Sequence, residues 1–101
     1  MAYKILYASD LHGNMEYYGK LIAKAKESQI KAVVIGGDLC PRSAGTLEEA
    51  INHQKEFLKN FFIPELSKLK KEVFFIMGND DFRINEIVLE NANKNLKYIN
   101  K

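Results

Sequence analysis

Apolar positions along this chain follow two alternating rhythms. Residues 3–9 (YKILYAS), 31–35 (KAVVI) and 73–77 (VFFIM) are short runs of strand formers, apolar at nearly every position. Between them the apolar residues recur at three- and four-residue spacing, the signature of one buried helix face. Tyr18, Leu21, Ile22 and Ala25 predict a helix over 15–28, with Asn14 as its cap. Thr46 followed by Glu49 is a capping-box signature. From there Leu47, Ile51, Leu58, Phe61, Phe62, Leu66 and Leu69 keep a helical period across Pro64. Proline removes one helical hydrogen bond and clashes with the carbonyl four residues back. The pattern therefore predicts a kink near Pro64, or two helices meeting there. A third helix is expected over 84–93, and residues 96–99 begin a fourth strand.

The order βαβαβα implies a parallel sheet. Right-handed crossovers between sequentially adjacent strands put their helices on one face. Yet the strands are apolar on both faces, as strands buried on both sides are. With the strands in the order 1-2-3, the second face is left with the third helix or with nothing. The expectation is an α/β fold that lacks a covering layer, to be supplied by a dimer partner or by a carboxyl-terminal half. An order placing helices on opposite faces would remove that need.

Composition narrows the class only a little. The 101 residues fit one small domain, and the formal net charge of +2 is close to balanced. The lysines are spread through the helical segments and read as solvated faces. Lys68, Lys70 and Lys71 form a short basic cluster without interleaved aromatics, so nucleic acid is not expected as a partner except as substrate. No stretch is long and apolar enough to span a bilayer, and no secretory leader precedes the first strand. A lone cysteine, Cys40, forbids an internal disulfide. These features predict a cytoplasmic protein.

The chemistry gathers at the strand ends. Asp10-Leu11-His12 follows the first strand, Gly37-Asp38 the second, and Gly78-Asn79-Asp80 the third. Carboxyl ends of neighbouring parallel strands converge on one crevice, where ligands bind. Carboxylate, imidazole and amide oxygen there suit divalent cations. In extended backbone, residues two apart point to the same side, which would let Asp10 and His12 grip one ion. A carboxylate at Asp38 has two oxygens and can bridge two ions. Alone, Asp10 and His12 are ordinary loop residues, and Gly-Asp and Asn-Asp are common turns. Three such elements in order, each at a strand end, are harder to dismiss.

As an ordered set, Asp10-Leu11-His12, Gly37-Asp38 and Gly78-Asn79 resemble the first three motifs of the calcineurin-like metallophosphoesterases. The resemblance spans most of the chain, to about Phe82. It implies one half of a metallophosphoesterase-type α/β sandwich, with the second sheet layer missing. It also implies hydrolysis of phosphate mono- or diesters by a water activated between two metals. By matching position, Asp10 and His12 would hold the first metal, Asp38 would bridge, and Asn79 would bind the second. Mn, Fe, Zn, Ni and Mg all serve in the family, and Mn is weakly favoured here.

Two departures from the family pattern bear on activity. The commonest motif carries a histidine where this chain has Asp80, while Asp81 stands at the family's usual acid. Asp80 is then the candidate proton donor. His12 and His53 are the only histidines, so the family's later lone His and its GHxH motif are absent, and further metal ligands with them. The expected domain is therefore a single one over 1–101, incomplete at its carboxyl end, with weak or no activity by itself. Arg42, four residues after Asp38, matches an arginine that contacts phosphate in the protein phosphatase branch. That branch has an aspartate where Pro41 stands. Cys40 reads as a small apolar loop residue, and His53 as a solvent-exposed one.

Other readings compete. A non-catalytic module would bind a divalent ion at the acidic cluster and dock a partner through the open sheet face. A receiver-like signalling domain would want paired acids at the first strand end, where this chain has Asp10 and His12. A plain α/β domain with acidic turns accounts least well for the ordered motifs.

Overall fold

The computed structural model describes residues 4–42, 45–78, 81–90 and 92–99. Four strands, β1 (Lys4–Ala8), β2 (Ile30–Ile35), β3 (Glu72–Phe75) and β4 (Leu96–Tyr98), form one sheet in the order β1-β2-β3-β4. All neighbouring pairs are parallel. The α/β class and the parallel strands read from the apolar pattern are what the chain adopts.

Helix α1 (Met15–Ala25) starts at Asn14, whose side chain accepts the backbone N–H groups of Glu16 and Tyr17. It buries Tyr18, Leu21 and Ala25. Helix α2 (Leu47–Phe57) opens with the expected capping box between Thr46 and Glu49. The Thr46 backbone N–H and hydroxyl hold the Glu49 carboxyl below the usual range. The buried stripe of α2 is Ala50, Gln54 and Phe57, not the expected Leu47 and Ile51. Leu47 lies on the outside, and a glutamine takes the central inward position.

Helical backbone continues without a break from α2 through a π-helical segment, Leu58–Phe62, into α3 (Ile63–Ser67). Here the Ile63 N–H bonds to the Leu58 carbonyl five residues back. Pro64 follows at the start of α3. The wider turn accommodates a ring that would clash with the carbonyl of Asn60 in a regular helix. The break foreseen at Pro64 is thus a π-helical turn just before it. The third helix is shorter than expected: a 3₁₀ turn, Arg83–Asn85, leads into α4 (Glu86–Glu90).

Register decides which face is covered. Leu6, Val33, Val73 and Leu96 stand side by side across the sheet, and the last three are buried. They share one cluster with Tyr18, Leu58, Phe62, Leu66 and Leu89, so α1, α2, α3 and α4 all lie on that face. The next row, Tyr7, Val34, Phe74 and Lys97, points the other way. On that side Ile5 is 66% exposed and Tyr7 64%. The face foreseen as uncovered is open, and α4 does not cover it.

An aromatic group fills the covered side. Tyr18 lies 5.4 to 6.2 Å from the rings of Phe61, Phe57 and Phe62, and Phe62 meets Phe75 edge-on at 5.0 Å. Such pairs contribute about 0.5–1.5 kcal/mol each beyond area burial. The buried Tyr18 hydroxyl donates to the Leu39 carbonyl at 2.8 Å. The core is thereby tied directly to the loop after β2.

Candidate metal centre

Asp10, His12 and Asp38 all have left-handed backbone, with φ of 55°, 47° and 52°. This corrects the extended geometry assumed for Asp10 and His12. Among described residues the one other non-glycine with positive φ is Lys70. Such backbone is uncommon outside glycine, though aspartate and histidine adopt it more readily than most. It disfavours the fold by about 1–3 kcal/mol per residue and persists where the surroundings over-determine it.

Those surroundings can be named. The His12 N–H donates to the Asp38 carbonyl at 2.8 Å, and the Gly13 N–H to the Leu39 carbonyl at 3.0 Å. These bonds zip the loop after β1 to the loop after β2. Gly13 has φ 67°, and a Cβ there would lie 2.6 Å from the Pro41 ring. Gly78, after β3, touches the same loop. A Cβ on it would lie 2.3 Å from both the backbone N and the Oδ1 of Asp38. Glycine is required at Gly78 by close approach.

Asp81 locks these loops together. It is buried, and its Oδ2 accepts the N–H groups of Leu39 and Gly78 at 2.9 Å each. Its Oδ1 accepts the Cys40 N–H at 2.9 Å. Gln54 braces the loops from α2: its Oε1 accepts the Phe82 N–H at 3.0 Å, and its Nε2 donates to the Pro41 carbonyl at 3.3 Å. Burial, and then the nearby Asp81 carboxylate, push the Cys40 thiol far up. It stays a protonated thiol packed in the core, as its loop position suggested. Burial likewise raises the Tyr18 phenol, helped by Cys40 and Asp81.

The result is a compact donor set. One ligand atom each from Asp10, His12 and Asp38 lies within 4.8 Å of the other two. Asp10 is exposed, and His12 and Asp38 are half-buried. Two carboxylates and an imidazole suit a first-row divalent cation, so the residues present fit a metal. Asn79 and Asp80 lie outside the described residues. Arg42 is exposed on the loop after β2, and His53 is exposed on α2 as expected.

Beside Asp38 opens a cavity of about 300 Å³, whose lining includes Gly78, Arg83, Tyr98 and Ile99. Arg83 and Tyr98 were not foreseen. A signal existed for Tyr98, the last residue of β4, because the carboxyl ends of parallel strands face the crevice; Arg83, on the 3₁₀ turn after the loop that follows β3, carried none. The Tyr98 hydroxyl donates to Glu86 Oε2 at 2.6 Å. Burial, and then that bond, push the Tyr98 phenol up to about 12.

A family model for calcineurin-like phosphoesterases matches residues 3–101. The chain belongs to the calcineurin-like phosphoesterase family. The family expected from the sequence is thus the chain's own, and the four parallel strands with their helices form an α/β fold consistent with a domain of this type. At family level this means metal-dependent hydrolysis of phosphate esters, and among the described residues Asp10, His12 and Asp38 form a group that could hold a metal. No curated protein matches the chain. Among the described residues, no helix is long and apolar enough to cross a membrane.

Proposed function

We propose that this chain hydrolyses phosphate esters, mono- or diesters, with two divalent cations of which manganese is favoured. The observation that carries the proposal is the meeting of Asp10, His12 and Asp38 ligand atoms within 4.8 Å. In this reading Asp10 and His12 hold the first cation, Asp38 bridges, and Asn79 holds the second. When bound, such a pair activates a water and neutralises charge on the phosphoryl group. Hydrolysis would exchange the ester P–O bond for a P–O bond to water oxygen, with Asp10, His12, Asp38 and Asn79 as the residues that would hold the ions. The departing alkoxide takes a proton, for which Asp80 is the proposed donor. Arg42 is proposed to approach the phosphate from the loop after β2. A guanidinium can donate to phosphate bidentately.

The second cation has only Asp38 and Asn79 in this account. We therefore expect weak or no turnover from the chain by itself. The lone cysteine accords with a reducing cytoplasm, which we take as its compartment.

Calorimetric titration with Mn²⁺ tests the site. Asp10→Ala and Asp38→Ala should each weaken binding by about tenfold or more, since each removes a charged ligand. Unchanged affinity in both would sink the assignment. Vigorous metal-dependent hydrolysis of an aryl phosphodiester, abolished by Asn79→Ala, would show instead that the chain is catalytically sufficient.

A second reading is favoured by the exposed Ile5 and Tyr7 on the open sheet face. There the chain is a non-catalytic divalent-metal module. Its open face would dock a second copy or a carboxyl-terminal half. Metal binding without turnover under any metal tested would favour it.

A further inference from the structure

The cavity beside Asp38 holds one cationic side chain among its described lining residues, Arg83. We infer that Arg83 is a substrate-phosphate-binding residue, contacting the phosphate from this cavity in addition to Arg42, and that its preferred ligand is a phosphomonoester. The inference rests on the metal-site reading above for what lies next to it.

Arg83 stands on the 3₁₀ turn that follows the loop after β3. Its Nη1 lies 3.8 Å from Glu86 Oε2, and about half of its side chain is exposed (55%). An ion pair that long and that exposed contributes little. A guanidinium carries five N–H donors in a planar fork, more than this single contact occupies. Glu86 Oε2 also accepts the Tyr98 hydroxyl at 2.6 Å. The carboxylate that leans toward Arg83 is thus anchored to the end of β4. The guanidinium is held loosely at the cavity while keeping donors to offer.

The ligand class follows from charge and shape. A phosphomonoester dianion carries three terminal oxygens, and a diester monoanion carries two. The third terminal oxygen of a monoester, and its second charge, give an arginine beside the candidate metal ligands more to bind than a diester does. An Arg–phosphate pair is charge-assisted and often bidentate. Gly36, Ile76, Met77 and Gly78 also line the cavity. At about 300 Å³ the cavity stands at the small end of ligand sites.

The test is NMR on the ¹⁵N-labelled protein. Inorganic phosphate and dimethyl phosphate are titrated separately, with and without Mg²⁺. The Arg83 Nε–H signal, identified by its loss in Arg83→Lys, should move with phosphate. Arg83→Ala should weaken phosphate binding by about tenfold and leave dimethyl phosphate nearly unaffected. Arg83→Lys keeps the charge without the fork and should recover only part. Equal losses for the two probes would overturn the monoester assignment. An unmoved Arg83 signal with phosphate affinity unchanged in Arg83→Ala would overturn the role of Arg83. Failure of the metal reading is seen separately, as Mg²⁺ leaving the backbone amides of Asp10, His12 and Asp38 unshifted. In that case the metal-free titrations still decide whether Arg83 takes phosphate.

Discussion

The carboxylate of Asp81 accepts the backbone N–H of Cys40, 41 residues earlier in the chain, at 2.9 Å. With Leu39 and Gly78 as its other donors, Asp81 fastens the loop after β3 to the loop that carries Asp38. The buried Asp81 carboxylate thus has a physical task. It sets where the Asp38 carboxylate stands relative to Asp10 and His12.

Removing that carboxylate should be expensive. Asp81→Ala leaves three N–H groups without their acceptor, and each buried, unsatisfied group destabilises by about 1–3 kcal/mol. We expect a loss of roughly 3 kcal/mol or more in urea unfolding, together with weaker Mn²⁺ binding. Asp81→Asn keeps an oxygen for two of the donors but turns an NH₂ toward the third, so its loss should be smaller. A stability within experimental error of the parent for Asp81→Ala would refute the clamp.

Two glycines make an internal comparison. At Gly78 an added Cβ would lie 2.3 Å from the Asp38 backbone N and Oδ1, so Gly78→Ala must displace the proposed bridging ligand. At Gly19, inside α1, nothing lies within 4 Å of the added carbon, and Gly→Ala in a helix interior stabilises by about 0.5–1 kcal/mol. Gly78→Ala should lower both the unfolding midpoint and metal affinity. Gly19→Ala should raise the midpoint and leave metal affinity alone. A metal affinity untouched by Gly78→Ala would mean that Asp38 is not a ligand.

Much of the fold was legible because its strands are apolar runs and its helices carry clear caps. Asn14, Thr46 and Glu49 marked their helix starts from sequence alone. The uncovered sheet face followed from strand order and apolar pattern together. Other features had no local mark. Nothing in Asp10-Leu11-His12 announces left-handed backbone, since the bonds that hold it come from the loop after β2. Gln54 breaks the apolar stripe of α2 because it serves backbone groups of two loops far from it in sequence. Pro64 signalled an irregularity but not its π-helical form. The candidate ligands Asp10, His12 and Asp38 could be picked out by their places at the strand ends. Their geometry depended on Gly78 and Asp81, whose contacts are tertiary.

Alkaline pH should expose the bracket at the end of β4. Burial and the hydrogen bond to Glu86 raise Tyr98 from the ordinary 10.0 up to about 12, with Arg83 opposing the rise and Asp81 adding to it. A raised pKa means that the folded state holds its proton more tightly than the unfolded state. Its stabilisation is fully present below pH 10.0 and is lost as pH climbs toward about 12. Urea midpoints measured from neutral to strongly alkaline pH should fall across that window. Tyr98→Phe should flatten part of the fall. The remainder belongs to groups such as Tyr18, also raised by burial. An alkaline limb identical in Tyr98→Phe and the parent would show that Tyr98 is not held as described.

The open face makes the last prediction, through residues of adjoining rows of the sheet that point to opposite sides. Tyr7 is 64% exposed, while Val33, beside Leu6 in the adjoining row, is fully buried. Tyr7→Lys should change the stability of the lone chain by no more than about 0.5 kcal/mol. Val33→Lys places a charge in the core and should unfold it, a loss above about 4 kcal/mol. Sedimentation separates the face's proposed roles. If a second copy docks there, the parent will associate with rising concentration and Tyr7→Lys will not. If Tyr7→Lys destabilises the chain as Val33→Lys does, the face is not open and both docking readings fall.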